Sequence, residues 1–384
     1  MSSSAEQRLA RARRRGREAL ASLADEASRT PLALICQPPP PAKPFPYGDV
    51  VPLGFLLRAV NAGTSPTSPV RRVLEDLLRD KQQGLLWAYH TDTLVTCIDS
   101  ALVLQGFGDP SGIEALEVFS DGRGGYFPQL CSEEPERGKM TMTAHNRHWC
   151  QPDYGTTCLA SALRAEAGLG RKTGVQYLAE DYESRSGLYF ANPYMVDWAL
   201  AWALQSVASA TPLRERLATD ILASVNEDGS FGLYDVHLST ALAILALTSL
   251  GVGGETVRRA RSRLADLMMS DGSWPSSTPF YSAVKIPRER LPGGVLARLM
   301  LGERHGQLLW LEGGVYAVSL YVDGYRTISS ALASLVLMQA DPSAERDAPA
   351  LPIQRREGCH PRYRCADHIQ YIAGYALPPY LVPR

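Results

Sequence analysis

The 384-residue chain lacks an apolar run of the length that a transmembrane helix needs. No stretch approaches the roughly 18 uninterrupted apolar residues of such a helix. The longest candidate, residues 240–250, still contains Thr248 and Ser249. We therefore expect no transmembrane segment, while peripheral contact with a membrane stays open.

The chain also lacks a surplus of basic residues. Lys and Arg number 39, Asp and Glu number 40, and the formal net charge is −1. Binding to nucleic-acid phosphates needs a basic surface, so we expect no nucleic-acid partner. Apolar residues make up 45% and charged residues 21% of the chain, proportions typical of a globular protein large enough to enclose a cavity.

Cysteine is scarce as well. Seven scattered cysteines are too few for a disulfide scaffold, and their odd number leaves at least one free thiol. No apolar secretory segment follows Met1, so no signal peptide is evident. These features favour a reducing, cytoplasmic location. Residues 8–23 are basic and amphipathic, as in an ordinary surface helix, although a transit peptide would look similar.

Proline marks the first boundary. Six prolines lie between residues 38 and 46, which excludes a helix there and favours an extended spacer. We predict an N-terminal amphipathic helix within residues 1–35, a proline-rich linker over 36–52, a helical domain over 53–340 and a tail over 341–384. The tail is rich in Pro, Tyr and Arg, and we expect it to pack onto the helical domain.

A glycine turn next to an aromatic residue recurs along the helical domain. The turn glycines are Gly84, Gly122, Gly187, Gly229 and Gly272, and successive ones are 38, 65, 42 and 43 residues apart. A period near 40–45 residues is typical of helical hairpins or propellers. Apolar residues at helical spacing in 213–225 and 256–269 favour hairpins.

Each of these turns is followed by a second predicted helix that is far more apolar. The five predicted inner helices cover residues 92–108, 153–168, 194–208, 237–251 and 323–339. Paired outer and inner helices predict an all-α fold, an α/α toroid whose inner helices surround a cavity, with a solenoid as the alternative. Between Trp274 and Asp323 the period breaks, and we expect one further inner helix there together with a lid or entrance loop.

The turns DGSF (228–231) and DGSW (271–274), each followed by an Ala- and Leu-rich helix, resemble the terpene cyclase and protein prenyltransferase toroid superfamily, including squalene–hopene cyclase-like proteins. The resemblance covers roughly residues 68–340 and implies a cavity for an isoprenoid or similar apolar substrate. The DxDD and DDxxD motifs of the two cyclase classes are missing. Tyr325 stands where the prenyltransferase pattern would have a zinc-binding Cys after Asp323. The resemblance therefore leaves the reaction open.

Carboxylates near the inner helices are the candidate acids. Asp99 and Asp197 share a helical face with the residues that begin their helices. Burial would raise their pKa and make them general acids for carbocation cyclisation. The polar residues at the predicted helix starts could act together at one cavity mouth. An Asp there is commonly a helix cap, and a structural role for a His is as common as a functional one. These residues are Asp92, Asp153, Tyr194, His237 and Asp323, and all but Tyr194 are also candidate catalytic residues.

Aromatic side chains would line the cavity and stabilise cationic intermediates through their π faces, although plain core packing explains most of them. The candidate substrate-binding residues are Trp87, Tyr89, Trp149, Tyr194, Trp198, Trp202, Phe231, Tyr234 and Tyr325, and further aromatics considered for the lining are Tyr126, Phe127, Trp274 and Tyr321.

Two His/Cys clusters raise the possibility of zinc, although neither has paired CxxC spacing. The first contains His145, His148, Cys150 and Cys158, and the second contains Cys359, His360, Cys365 and His368. A composite site of His148, Cys150 and His237 is one possibility. Mg²⁺ with a diphosphate substrate is another, because Arg288, Arg290 and Arg298 could hold phosphate oxygens.

The sequence thus favours a terpene-cyclase-like enzyme, a lyase or isomerase that cyclises or rearranges an apolar small molecule. A zinc-dependent enzyme acting on a small natural-product intermediate is the first alternative. A non-catalytic toroid that binds a lipid or a protein is the second. The oligomeric state cannot be predicted from these patterns.

Overall fold

The computed structural model describes residues 3–65, 67–90, 93–143, 146–205, 207–311, 314–339 and 359–376. Within these ranges, none of the helices combines the length and apolarity that crossing a membrane requires. The chain is rich in helix, with some small sheets. The helices are α1 (Ser3–Ala27), α2 (Val50–Gly63), α3 (Pro69–Arg79), α4 (Cys97–Phe107), α5 (Pro110–Ala115), α6 (Tyr154–Glu166), α7 (Val175–Glu180), α8 (Pro193–Leu204), α9 (Thr211–Ala223), α10 (Val236–Ser249), α11 (Glu255–Asp266), α12 (Gly293–Met300), α13 (Thr327–Met338) and α14 (His368–Tyr371).

Six apolar helices contact one another in a closed cycle. In order these are α2, α4, α6, α8, α10 and α13, and α13 in turn contacts α2. All residues of α8 are buried, as are 11 consecutive residues of α10, because neighbouring helices cover them on every side. Helices α1, α3, α5, α9 and α11 pack against members of this six-helix cycle. Their exposed charged residues give them the amphipathic character expected of outer helices.

Helix α2 is the member of the cycle that the sequence pattern did not reveal. It lacks a preceding glycine–aromatic turn, and its first three residues fall within the predicted linker. Gly54 and Gly106 allow α2 and α4 to approach closely. A Cβ on Gly54 would lie 2.5 Å from the carbonyl oxygen of Leu102, and one on Gly106 would lie 2.5 Å from the carbonyl oxygen of Gly54.

The inner helix expected between Trp274 and Asp323 is wrong, because the described part of this stretch contains three strands and the short helix α12, in which Leu299 is the buried residue. The strands are β1 (Ile35–Gln37), β2 (Phe45–Pro46), β3 (Cys131–Ser132), β4 (Met140–Thr141), β5 (Phe280–Ile286), β6 (Leu308–Leu311) and β7 (Gly314–Val322). Aromatic and β-branched residues dominate β5 and β7, and such residues favour strands.

The main sheet has the order β2-β1-β7-β5, and β6 also pairs with β7. Strands β5 and β7 are antiparallel from Phe280 opposite Tyr321 to Ile286 opposite Val315. Strand β1 pairs with β7 and β2, so the predicted linker over 36–52 contains strand structure and the start of α2. Whether 1–35, 36–52, 53–340 and 341–384 behave as separate units stays a prediction.

A shared hydrogen bond explains the repeated glycine–aromatic turns. In four of them a buried hydroxyl on the next cycle helix accepts the backbone N–H of the aromatic residue, at 2.9 to 3.1 Å. The pairs are Trp87 with Ser100, Tyr126 with Thr157, Phe231 with Thr240, and Trp274 with Ser330. The aromatic rings are fully buried, so each turn attaches its segment to a helix of the six-helix cycle.

We expect Thr240→Val to destabilise the protein by about 1–3 kcal/mol, because the buried N–H of Phe231 would lose its acceptor. Val preserves the shape of the side chain but not the hydroxyl. Urea unfolding followed by circular dichroism measures the effect. Thr219→Val is the control, because the Thr219 hydroxyl bonds only within its own exposed helix turn. Equal stability of the two variants would contradict the proposed role of this hydrogen bond.

Two cysteines depart from the expectation of reduced thiols. Cys131 and Cys150 form a disulfide with their Cα atoms 5.7 Å apart. The remaining five cysteines are free, and Cys365 is the one that is partly exposed. Cys131 lies in β3 and Cys150 directly follows the short turn Arg147–Trp149, so the disulfide links the two ends of this segment.

Candidate active site

A cavity of about 270 Å³ lies at the N-terminal ends of α2 and α4. Its wall combines these two helix ends with strands β5 and β7, the disulfide-linked segment and the connection from β1 to α2. The lining residues are Leu34, Tyr47, Gly48, Val51, Tyr89, Thr96, Ile98, Asp99, Leu102, Gln129, Met140, Trp149, Tyr189, Phe280, Tyr281, Ser282 and Tyr321.

Much of this lining comes from the places where the repeat is interrupted. The 65-residue spacing between Gly122 and Gly187 includes the segment that carries Gln129, Met140 and Trp149. The interruption after Trp274 supplies the lining residues of β5 and β7. The regular helical hairpins therefore build the frame, and the insertions between them supply part of the cavity wall.

Asp99 brings the carboxylate to this cavity. The predicted helix over 92–108 begins at Cys97, so Asp99 lies in the first turn and not deep in the helix as expected. The Thr96 hydroxyl donates to Asp99 Oδ2 at 2.6 Å, and the same hydroxyl oxygen accepts the Asp99 N–H at 3.0 Å. Asp99 is half-buried and is one of the residues that line the cavity.

Burial raises the pKa of Asp99 to about 6, although hydrogen bonds from the Thr96 hydroxyl and the Tyr89 backbone act in the opposite direction. Desolvation disfavours the charged form of a carboxylate, and here it outweighs the two donors. A carboxyl group with a pKa near 6 retains its proton in mildly acidic solution and can deliver it to a substrate.

Tyrosine rings surround the same space. The ring of Tyr47 stacks on that of Tyr89 with centroids 4.4 Å apart, and its centroid lies 4.3 Å from that of Tyr321. The Tyr321 hydroxyl is hydrogen-bonded to the Ser282 hydroxyl at 3.1 Å. Burial raises the pKa of Tyr47 and Tyr189, so these phenols stay neutral. Neutral aromatic faces stabilise cations by their quadrupoles.

Asp197 has a different environment from the one predicted. It is fully buried and lies 2.8 Å from Arg185 Nε and 3.4 Å from Arg362 Nη1. The Tyr363 hydroxyl donates to its Oδ2 at 2.6 Å. Burial acts to raise the pKa of Asp197, but the two guanidinium groups and Tyr363 together hold it below its usual value. The expected raised pKa is therefore wrong, and this ionised carboxylate does not line the cavity.

Asp153 and Asp323 stabilise helix starts, which agrees with the alternative interpretation of these residues. Asp153 caps α6 by accepting the Thr156 N–H at 2.8 Å. Asp323 accepts the N–H groups of Thr327 at 2.8 Å and Ser329 at 3.0 Å in the first turn of α13. Burial raises the pKa of Asp153 and brings that of Asp323 to about 6. Neither residue lines the cavity, so a raised pKa alone does not identify the acid.

The two remaining candidate acid–base residues give no further site. His237 is buried in the first turn of α10, burial lowers its pKa, and it does not line the cavity. Asp92 lies outside the described residues.

Of the nine predicted substrate-binding aromatics, Tyr89 and Trp149 line the cavity, as does Tyr321 from the wider set. The others lie elsewhere. Trp87 and Phe231 are core residues of the glycine turns, and Tyr325 packs on the core. The ring of Tyr194 stacks on that of Tyr363, and the ring of Trp198 stacks on that of Trp202. Tyr234 contacts His368. The sequence reasoning missed Tyr47, Tyr189, Phe280 and Tyr281. The aromatic and β-branched residues of β5 would have indicated a strand at Phe280 and its neighbours.

Among the described residues the predicted zinc ligands do not come together, and His145 lies outside those residues. Cys150 is bonded to Cys131, which removes its thiol as a ligand, and only the backbone of His148 is described. In the second cluster, His360 pairs with Glu183 and His368 with Asp235. Over the described part of the chain, no three His, Cys, Asp or Glu side chains form a group suited to a metal ion.

The fold is similar to that of type II terpene cyclases. The structure of the type II terpene cyclase MstE from Scytonema, in complex with geranylgeranyl dihydroxybenzoate as substrate, matches with a TM-score of 0.58 and 15% identity, over 88% of this chain and 99% of that chain. A second structure, with merosterolic acid A as product, matches with a TM-score of 0.58 and 16% identity, over 88% of this chain and 98% of that chain.

A protein from Actinoplanes matches with a TM-score of 0.57 and 17% identity, over 86% of this chain and 99% of that chain. At these identities the likeness establishes a terpene-cyclase-like fold and nothing finer. No family model matches the chain, and no curated protein matches its sequence.

Proposed function

We propose that this protein is a terpene-cyclase-like enzyme that cyclises or rearranges an isoprenoid-type substrate after protonation by Asp99. The six-helix cycle would be the inner ring of an α/α toroid. One observation is the main support for this proposal. A carboxyl group whose pKa is raised to about 6 faces a cavity of about 270 Å³ lined by aromatic rings. The complexes of MstE with a geranylgeranyl compound and its product support this assignment by analogy.

In the proposed reaction, the Asp99 carboxyl proton adds to a carbon–carbon double bond of the substrate and leaves a carbocation. A second double bond of the same molecule attacks this cation and closes a ring. Loss of a proton to water or to the Asp99 carboxylate ends the sequence, so the product is an isomer of the substrate. Tyr47, Tyr89 and Tyr321 would stabilise the cation through their π faces.

The experiment that tests the proposal is incubation of the purified protein with farnesyl and geranylgeranyl alcohols, phenol ethers and diphosphates, followed by gas chromatography and mass spectrometry. A cyclic isomer of any of them supports the proposal. Unchanged substrate in every case, at acidic and neutral pH, would contradict it.

The pH dependence should report Asp99 directly. Because the protonated form is the active one and its pKa is about 6, kcat/KM should be constant well below pH 6 and fall about tenfold per pH unit above it. Thr96→Val removes a hydrogen bond that lowers this pKa, so the midpoint should move to higher pH. Thr96→Ser keeps the hydroxyl and should keep the wild-type midpoint. Identical profiles for all three proteins would show that Thr96 does not tune the acid.

A further inference from the structure

Resting on the proposed function, we infer that the substrate carries a neutral head group, an alcohol or a phenol, and not a diphosphate. The charge of the cavity wall is the basis. Among the lining residues that the structure describes, the ionisable side chain with a charge near neutral pH is Asp99, and the other polar ones are Thr96, Gln129, Ser282 and the tyrosines. This wall is neutral or negative, depending on the protonation of Asp99.

A diphosphate would bring several negative charges next to this carboxyl group. Burying such charges without a cation is strongly unfavourable, and protein phosphate sites supply Arg, Lys or a metal ion. The arginines that the sequence offered for this purpose are not part of the described lining. Arg288 instead stacks over the Trp310 ring at 4.3 Å, and Arg290 and Arg298 are exposed.

The polar groups of the wall match a neutral partner. The paired hydroxyls of Ser282 and Tyr321 can each donate or accept a hydrogen bond. Gln129 is 7% exposed and offers both an amide N–H and a carbonyl oxygen. A hydroxyl or phenol exchanges hydrogen bonds with such groups without the desolvation penalty of a charge.

Equilibrium binding to the Asp99→Asn protein tests the inference, with farnesol and farnesyl diphosphate as probes and titration calorimetry as the readout. The substitution prevents turnover. It also removes the negative charge that would repel a diphosphate, so the Asp99→Asn protein is the form of the cavity in which diphosphate binding is least opposed. We expect farnesol to bind at least tenfold more tightly, with no change on adding Mg²⁺. Tighter or Mg²⁺-dependent binding of the diphosphate would overturn the inference and leave the proposed function standing. Binding of neither probe would contradict both.

A cation placed in the wall should reverse the preference. Ser282→Arg, in the same Asp99→Asn background, should increase the affinity for farnesyl diphosphate relative to farnesol at least tenfold. Ser282→Met is the control, because it has comparable bulk and no charge. An unchanged ratio in the Arg variant, with both variants folded, would show that the charge of the wall does not select the head group.

Discussion

Asp99→Asn should lose about 10³-fold or more of the cyclisation activity while the protein stays folded. The amide has nearly the shape of the carboxylate and can still accept a hydrogen bond from Thr96, but it has no acidic proton to transfer. General acid catalysis typically contributes about 10²–10⁴-fold, and here the protonation starts the whole reaction. Product formation measured by mass spectrometry and folding measured by circular dichroism separate the two effects.

Stability should show that Asp99 serves chemistry and not the fold. Its folded-state pKa of about 6 lies above the ordinary value of 3.8. The ionised group therefore destabilises the folded state progressively as pH rises from about 4 through 6. Asp99→Asn should remove this loss of folding stability, which has an upper limit of about 3 kcal/mol. The variant should therefore be at least as stable as wild type at pH 8. The matched control is Asp109→Asn, a helix cap outside the cavity. Retained cyclisation activity in Asp99→Asn would refute the assignment of Asp99 as the general acid.

Asp197→Ala should be the most destabilising of the carboxylate substitutions, by about 3–5 kcal/mol. Removing this carboxylate leaves Arg185 and Arg362 buried with part of their charge unpaired. Both arginine side chains are at most 1% exposed, so water cannot replace the lost partner. Urea unfolding measures the loss. Glu255→Ala, which breaks an exposed pair with Arg258, should change stability by less than about 1 kcal/mol.

The stability difference between wild type and Asp197→Ala should depend on pH in a defined direction. Asp197 has a folded-state pKa below its ordinary value, so its contribution to stability is full above the ordinary value. The contribution is lost as pH falls through the folded-state pKa. The stability difference between wild type and Asp197→Ala should therefore shrink in strongly acidic solution. Loss of activity in Asp197→Ala with unchanged stability would show that the residue serves catalysis instead.

The sequence predicted the repeating frame because helical hairpins leave a local signal. Apolar periodicity and glycine turns depend on residues close in sequence, and five of the six helices in the cycle were located from them. Helix α2 was missed because no glycine–aromatic turn of the repeat precedes it. The strands β5 and β7 were missed because the expected period was extended across them.

The candidate site was less predictable, because burial and partners depend on the whole fold. Asp99 and Asp197 were proposed on the same helical-spacing argument, and they proved opposite in character. The difference lies in Arg185 and Arg362, and the latter approaches from more than 160 residues away in sequence. Most of the lining aromatics come from insertions, whose packing against the helix ends leaves no periodic pattern to detect.

The closure of the six-helix cycle by α2 and α13 has a consequence for how the chain acquires its structure. All of residues 64–326 lie between these two contacting helices, so the ring is completed by a contact of very long sequence separation. Such contacts form late, because the entropy of closing the intervening loop must be overcome first. On the ribosome, α2 would expose its apolar surface until α13 has been synthesised. Nascent chains interrupted before α13 should therefore depend on chaperones and aggregate without them.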